Sequence, residues 1–243
     1  MIGIVAVSHS RALAEAAVEL ALEMGGAQPP VVQVAAGGPD DDLGTDAVAI
    51  ASAIDAADSG DGVLVIMDLG SALLSAETAL EFVSAPERVR LSPAPFVEGL
   101  VAAVVTAAGG ADLDAVAAEV GSAGDAKRRQ LGHTDVPASP TEEGAGAASG
   151  SGEQSFDAVI TNPSGLHARP AATFVKAASR HDADVRLVDL TAGSDIVSAR
   201  SLLALMALGV RQGSRVRVSA SGPEATAALD ELRTLIDDGF GER

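Results

Sequence analysis

The chain has 243 residues and no cysteine, and although 47% of its residues are hydrophobic, only 2% are aromatic. The lack of cysteine excludes disulfides, thiolate metal sites and cysteine nucleophiles, and the scarcity of aromatic rings disfavours proteins that stack nucleic-acid bases. The formal net charge of −18 repels nucleic acid and anionic membrane surfaces. We therefore expect a metabolic or protein partner, with no nucleic-acid or membrane partner.

Length and charge divide the chain into two parts. Its length suits two domains rather than one. Residues 1–152 carry 22 acidic and 6 basic residues, whereas residues 153–243 carry 12 and 10. From residue 122 the sequence loses its periodicity and becomes rich in Gly, Ala, Ser and Pro, which is typical of a flexible linker. The predicted organisation is a first domain at 1–121, a linker at 122–152 and a second domain at 153–243.

Apolar runs alternate with Ala/Leu/Glu segments in the first domain. This alternation predicts an α/β fold, an open, mostly parallel, doubly wound sheet whose strands are buried by helices on both faces. The opening run MIGIVAVS has no basic leader and is far shorter than the roughly 20 residues of a membrane helix, which favours a first strand in a cytoplasmic protein. Strands are predicted at 2–7, 31–35, 63–67 and 88–91, and helices at 11–24, 46–57, 72–84, from Phe96 onward and at 112–120.

His9 directly follows the first predicted strand and is flanked by Ser8 and Ser10. A doubly wound sheet binds its ligands at the carboxyl ends of its strands, and the following helix offers free N–H groups and a positive dipole end to an anion. Neutral imidazole is also a capable nucleophile. This position predicts that His9 is catalytic and carries a phosphoryl group, although a Ser-His-Ser strand end could equally be a helix cap.

Asp68 ends the third predicted strand in a comparable place, before Gly70 and Ser71 at the start of the next helix. Asp68 could accept a hydrogen bond from one ring nitrogen of His9 and leave the other as the attacking atom, or it could only cap a turn. Gly70 and Ser71 could donate hydrogen bonds to phosphoryl oxygens, with Ser71 also capping the helix. A further rim of the same crevice is predicted after the second strand, at Gly44 and Thr45.

The second domain is predicted to contain both strands and helices. The segments FDAVI, DVRLVDL, DIVSA and RVRVSAS predict strands, and helical patterns cover 168–180, 200–208 and 223–238. The polar and apolar residues of RVRVSAS alternate, which indicates a sheet with one face in solvent and helices on the other. The predicted fold is a smaller α+β open-faced sandwich.

His167 lies in the segment NPSGLHARPAATFVKAAS. Pro163 and Gly165 predict a loop, and Pro170 is tolerated only in the first turn of a helix, so the histidine is expected at a helix amino terminus. Arg169 can neutralise phosphoryl oxygens. The pattern predicts a second catalytic histidine whose phosphorylated form is stabilised by the helix and by Arg169.

This segment resembles the active-site segment of HPr, the phosphocarrier of the phosphotransferase system. The likeness extends from about residue 153 to the end through DIVSARSLLALMALGVRQGSRVRVSASG. It implies that His167 accepts phosphate from Enzyme I, with Arg169 assisting. Ser201 stands where some HPr proteins carry a regulatory phosphoserine, but we favour a helix cap. The remaining histidines match no active-site motif and are interpreted as linker and surface residues, namely His133 and His181.

The first domain resembles the mannose-class EIIA fold over about residues 1–120. The motifs that carry the resemblance are VAVSHS, LGTDAVAI, VLVIMDLGSALLSAETAL and APFVEGLVAA. They look closest to the phosphoryl-donor subunits of bacterial dihydroxyacetone kinase, which implies a homodimer through this domain with a phosphorylated His9. Members of that family can carry an Enzyme I-like segment after the HPr region. The sequence shows none before Arg243, so a separate Enzyme I or HPr is expected to supply the phosphate.

The resemblance implies a phosphoryl relay. Phosphate would pass from phosphoenolpyruvate to Enzyme I, to His167, to His9, and then to ADP on the nucleotide-binding kinase subunit. ADP and Mg²⁺ are expected on that partner, with no metal or cofactor on this chain. Transfer within one chain and transfer between chains both remain open. Two other functions also remain open: an EIIA–HPr fusion that serves sugar transport, and a regulatory module whose partner binding changes on phosphorylation.

Overall fold

The computed structural model describes residues 1–38, 42–131 and 153–242. The chain divides into two compact units, Met1–Gly124 and Asp125–Arg243. Most of the predicted linker, including His133, lies outside the described residues. Where the linker was expected to begin, the described part contains a short helix at Asp125–Gln130, which the loss of apolar periodicity did not predict.

The first unit confirms the predicted parallel α/β sheet. Its strands are β1 (Gly3–Ser8), β2 (Val32–Ala36), β3 (Val63–Met67) and β4 (Val89–Ser92). Its helices are α1 (Arg11–Gly25), α2 (Ala47–Ala57), α3 (Gly70–Ala79), α4 (Phe96–Ala108) and α5 (Leu113–Gly121). The strands lie in the order β2-β1-β3-β4, and all three neighbouring pairs are parallel.

Burial of the central strands on both faces explains their unbroken apolar sequence. All six residues of β1 are buried, because α1 lies against one face of the sheet and α2 against the other. The core between the sheet and α2 and α3 is built from small aliphatic side chains, including Val5, Ile54 and Ala76. The buried residues of this cluster are all Ala, Val or Ile, as the scarcity of aromatic residues in the sequence would lead one to expect.

The third helix differs from its prediction. A helix was expected at 72–84, but α3 begins at Gly70 and ends at Ala79. The chain then turns through residues 80–85 and a 3-10 turn at Pro86–Arg88 before β4. The early start brings Ser71 into the first helical turn, beside the carboxyl end of β3.

Replacing Gly3 by alanine should destabilise the first unit by roughly 3 kcal/mol, because the added Cβ has no room. It would overlap the backbone carbonyl oxygen of Ala57 and lie 2.8 Å from the Cβ of Ala57. Urea unfolding measures the loss. Gly121→Ala is the matched control, since nothing lies within 4 Å of its Cβ position, and equal stability of the two variants would contradict the prediction.

The second unit confirms the predicted α+β sandwich. It contains the short helix α6 (Asp125–Gln130), then α7 (Ala168–Ser179), α8 (Leu202–Ala207) and α9 (Ala225–Asp237). Its strands are β5 (Gln154–Val159), β6 (Asp184–Asp189), β7 (Val197–Ser198) and β8 (Arg215–Ser221). They form an antiparallel sheet in the order β5-β8-β6-β7.

The alternating polar and apolar residues of β8 lie on opposite faces of the sheet, as predicted. Val216, Val218 and Ala220 are buried, and α9 packs against this sheet. On the opposite face Arg215 and Arg217 both pair with Asp157 of β5. Within the three described ranges, no helix is long and apolar enough to cross a membrane.

Candidate active site

The strand order brings His9 and Asp68 together. Because β1 and β3 are parallel neighbours, with Val7 opposite Met67, the residues that follow both strands meet at the same edge of the sheet. The amide of Asp68 donates to the carbonyl of Val7 at 3.1 Å, which continues the ladder one residue beyond β3. The two strand ends therefore bring His9 and Asp68 to the same edge of the sheet, as predicted.

The Asp68 carboxylate makes three hydrogen bonds, two with His9 and one with Ser8. One carboxylate oxygen lies 3.0 Å from His9 Nδ1, and the other accepts hydrogen bonds from the His9 amide and the Ser8 hydroxyl, both at 2.9 Å. A carboxylate can only accept, so the proton of a neutral His9 ring lies on Nδ1. The lone pair is then on Nε2, which makes Nε2 the ring atom that could act as a nucleophile.

Asp68 is suited to be the negatively charged partner of the His9 imidazole. Its side chain is only 7% exposed, against 26% for His9. Burial raises the pKa of Asp68, but hydrogen bonds from the His9 amide and ring and from the Ser8 hydroxyl outweigh it and hold the pKa below the ordinary value of 3.8. The carboxylate therefore stays ionised and can stabilise positive charge on the ring.

Ser71 contacts the second ring nitrogen of His9. Its Oγ lies 3.0 Å from His9 Nε2. The prediction that Ser71 caps its helix is wrong, because the cap residue of α3 is Leu69, which makes no side-chain cap hydrogen bond. Gly70 is the first residue of α3. The Ser71 hydroxyl, in the first turn of α3, thus lies beside the ring nitrogen of His9 that carries no proton.

The Ser-His-Ser segment combines both of the interpretations that its sequence allowed. Ser10 caps α1, since its hydroxyl accepts from the amide of Leu13, while His9 takes part in the polar site. Ser8, which sequence reasoning did not single out, is fully buried and bonded to Asp68. Its position at the end of a buried apolar strand was the available signal, since a buried hydroxyl needs a partner.

The predicted second rim lies beside His9. The amide of Gly44 donates to the His9 carbonyl at 3.0 Å, and the Thr45 hydroxyl lies 2.7 Å from the hydroxyl of Ser75. Ser75 was also not singled out. It stands four residues after Ser71, on the same face of α3, and that spacing could have identified it.

His167 is the cap residue of α7, as its surroundings predicted. Its side chain is exposed and makes no cap hydrogen bond, while its carbonyl accepts from the amide of Ala171 at 2.8 Å. Arg169 is exposed in the first turn and Pro170 is buried there. An anion bound to the His167 ring can therefore approach the positive end of the helix and one guanidinium group.

Gly165 fixes the loop that leads to His167. Its φ is +63°, and an added Cβ would overlap the carbonyl oxygen of Val210. The same carbonyl accepts from the amide of Leu166 at 3.0 Å. Only glycine combines this backbone conformation with so close an approach.

Two other predicted residues have local roles. Ser201 caps α8, with its hydroxyl accepting from the Ala204 amide at 3.0 Å, and its regulatory use stays a prediction. His181 was interpreted as a surface residue, but its side chain is 17% exposed and its Nε2 lies 2.7 Å from a carboxylate oxygen of Glu231. That interpretation is corrected, because the ring is mostly buried and pairs with Glu231 of α9. No group of three His, Asp or Glu side chains that could hold a metal is found among the described residues.

Both units match families of the phosphotransferase system. Residues 3–117 match EIIA-man, described as the PTS system fructose IIA component, and residues 154–238 match PTS-HPr, described as the PTS HPr component phosphorylation site. The phosphocarrier protein HPr of Vibrio cholerae is 45% identical over 32% of this chain and 88% of its own length. The chain therefore belongs to the HPr family of phosphocarriers through its second unit, which follows an EIIA-man unit.

The whole chain is similar to one particular kind of phosphocarrier. It is 44% identical to the phosphoryl donor subunit DhaM of the PEP-dependent dihydroxyacetone kinase of Escherichia coli, over 100% of this chain and 51% of that relative. The resemblance stated from the motifs is thus confirmed, and the chain spans about half the length of the curated relatives it matches. A crystal structure of HPr from Thermoanaerobacter tengcongensis is 38% identical, covering 37% of this chain and 98% of its own with a TM-score of 0.35.

Proposed function

We propose that this chain relays phosphoryl groups from phosphoenolpyruvate, through Enzyme I, His167 and His9, to ADP held by the nucleotide-binding subunit of a dihydroxyacetone kinase. The arrangement of His9 between Asp68 and Ser71 carries the proposal, because it presents one unprotonated ring nitrogen beside hydrogen-bond donors. The similarity to DhaM over the whole chain supports the choice of acceptor.

At His9 the reaction is an in-line exchange of one phosphorus–nitrogen bond for another. Nε2 forms the new bond as the bond to the donor phosphohistidine breaks, and the donor ring leaves with its electron pair. The Nδ1 proton stays in place, and Asp68 stabilises the positive charge on the ring. Ser71 and the first-turn amides at Gly70 donate to the phosphoryl oxygens. Positioning and fixed donors therefore supply most of the catalysis.

At His167 the phosphoryl group needs less shielding by this chain than at His9, because the partner proteins supply the rest of the active site. The exposed ring can enter the active site of Enzyme I and then that of an EIIA-man unit. The α7 amino terminus and Arg169 stabilise the phosphoryl group between the two encounters.

The proposal also covers the oligomeric state of the protein and its place in the cell. The chain works in the cytoplasm, where phosphoenolpyruvate and ADP are available, and forms a homodimer through its first unit. It binds no metal or cofactor of its own, whereas ADP and Mg²⁺ belong to the kinase subunit. Sedimentation of the full chain measures the dimer.

The test is reconstitution of the complete reaction. We expect the chain, charged by Enzyme I and phosphoenolpyruvate, to convert ADP on the nucleotide-binding subunit to ATP and to yield glycerone phosphate when dihydroxyacetone is present. Uncharged chain is the control. Charged chain that leaves the ADP-loaded subunits unchanged would contradict the proposal.

A sugar-transport role is the second candidate, because the EIIA-man family is described by a fructose component. In that role the charged chain would deliver its phosphate to an EIIB domain. Presenting EIIB and the ADP-loaded kinase subunits in separate reactions distinguishes the two acceptors. Retention of the phosphate with both would favour a regulatory module.

A further inference from the structure

Asn162 joins two distant parts of the second unit. The residue is 2% exposed, and its side-chain Nδ2 donates to the Gly165 carbonyl at 2.8 Å and to a carboxylate oxygen of Glu242 at 3.0 Å. Both Nδ2 hydrogens are therefore used, and both partners are acceptors. This arrangement determines the amide orientation, because the flipped amide would place its oxygen against two other oxygens.

The first of these contacts acts on the loop before His167. The Gly165 amide donates back to the Asn162 carbonyl at 3.2 Å, so the two residues are bonded in both directions. The next amide, that of Leu166, is held by Val210. The peptide units that lead directly into His167 are thus fixed from both sides.

The second contact reaches a turn at the end of the described chain. Residues Gly239–Gly241 form a 3-10 turn in which Phe240 has a φ of +57°. This left-handed conformation is uncommon for a residue other than glycine and is usually held in place by its surroundings. The ring of Phe240 lies 6.4 Å from that of Phe174 on α7. The turn therefore contacts the helix that begins at His167, while Glu242 contacts the loop that precedes it.

We propose that Asn162 is a positioning residue for phosphoryl transfer at His167, and that residues 239–242 form a latch that holds it. The proposal rests on the phosphorylation of His167 proposed above. The latch acts on both sides of the histidine, on the loop through Glu242 and on α7 through Phe240. It sets the direction of the imidazole relative to the α7 amino terminus, and in-line transfer depends strongly on such geometry.

The test compares variants of Asn162 and Glu242 in the His9→Ala chain, where each molecule takes up phosphate at His167 alone. Asn162→Asp keeps the shape but replaces the donor by an acceptor beside Glu242. Glu242→Ala removes the acceptor, whereas Glu242→Gln keeps an acceptor oxygen. We expect the first two variants to lower kcat for phosphorylation by Enzyme I roughly 10- to 100-fold. KM for Enzyme I should stay within about twofold, because the exposed docking surface is unchanged.

Two controls separate positioning from stability and from charge. Glu242→Gln should transfer at nearly the parent rate, and so should Asp230→Ala, which removes an exposed carboxylate from the middle of α9. Thermal unfolding of each variant is recorded beside its kinetics. If Asn162→Asp does not fold, the comparison of Glu242→Ala with Glu242→Gln still tests the latch.

The outcomes are distinguishable. A lower unfolding temperature with unchanged kcat in Glu242→Ala would show a purely structural contact and overturn the proposal, as would equal losses in Glu242→Ala and Glu242→Gln. Failure of the proposed function looks different, since the His9→Ala parent itself would then take up no phosphate. That result would remove the basis for both proposals.

Discussion

Replacement of His9 by alanine should abolish phosphoryl delivery to ADP while His167 continues to take up one phosphoryl group. Alanine offers no nucleophile, so the second phosphorus–nitrogen bond cannot form, and delivery should fall by at least about 1000-fold. Wild-type chain should carry two phosphoryl groups and the variant one. Mass measurement of the intact charged chains at neutral to alkaline pH counts them directly.

His167→Ala and His181→Ala are the matched histidine controls. His167→Ala should take up nothing from Enzyme I alone, whereas His181→Ala removes a histidine that pairs with Glu231 outside both sites and should relay as wild type does. ATP formation by the His9→Ala chain would contradict the order of the relay. Delivery restored by mixing the His9→Ala and His167→Ala chains would show that phosphate passes between chains.

Replacement of Asp68 by asparagine should slow transfer from His167 to His9 by roughly 100-fold or more. The asparagine amide can donate to His9 Nδ1, which moves the ring proton to Nε2 and blocks the attacking atom. The charge that stabilises the phosphorylated ring is lost as well. Rapid quenching of single-turnover transfer measures the rate, and nitrogen NMR of the imidazole reports the tautomer.

The matched variant for Asp68 is Ser71→Ala, which removes one donor near Nε2 and leaves the tautomer unchanged. It should cause a smaller loss than Asp68→Asn and no change of tautomer. Near-wild-type transfer by Asp68→Asn would show that the carboxylate does not orient the ring. A larger loss for Ser71→Ala than for Asp68→Asn would assign the main role to the hydroxyl.

Asp68 should also contribute to acid stability. Its pKa is held below 3.8 in the folded chain by the hydrogen bonds from His9 and Ser8, although burial alone would raise it. A depressed pKa stabilises the fold above the unfolded value, and this contribution is lost as the pH falls through the folded value. The stability difference between wild type and Asp68→Asn should therefore shrink below about pH 3.8 in urea titrations. A difference that stays constant to lower pH would contradict this.

Local pattern was enough to predict the two fold classes and the positions of both histidines. Apolar runs separated by helical segments predict parallel strands because burial on both faces requires such runs, and β1 is buried along its whole length. The alternation in β8 likewise reports one covered face. His167 could be placed at a helix terminus because the effect of Pro170 on a helix is local.

Contacts between distant segments were decided by the tertiary structure. The sequence left open whether Asp68 bonds to His9 or only caps a turn; the two residues are 59 residues apart and meet because β1 pairs with β3. Ser71 was expected to cap α3, but the helix begins at Gly70, which leaves the hydroxyl for His9 Nε2. Asn162 and Glu242 are 80 residues apart, and their contact depends on where α9 ends. Sequence periodicity records which face of an element is buried, whereas these contacts depend on strand order and helix ends, which only packing of the whole unit determines.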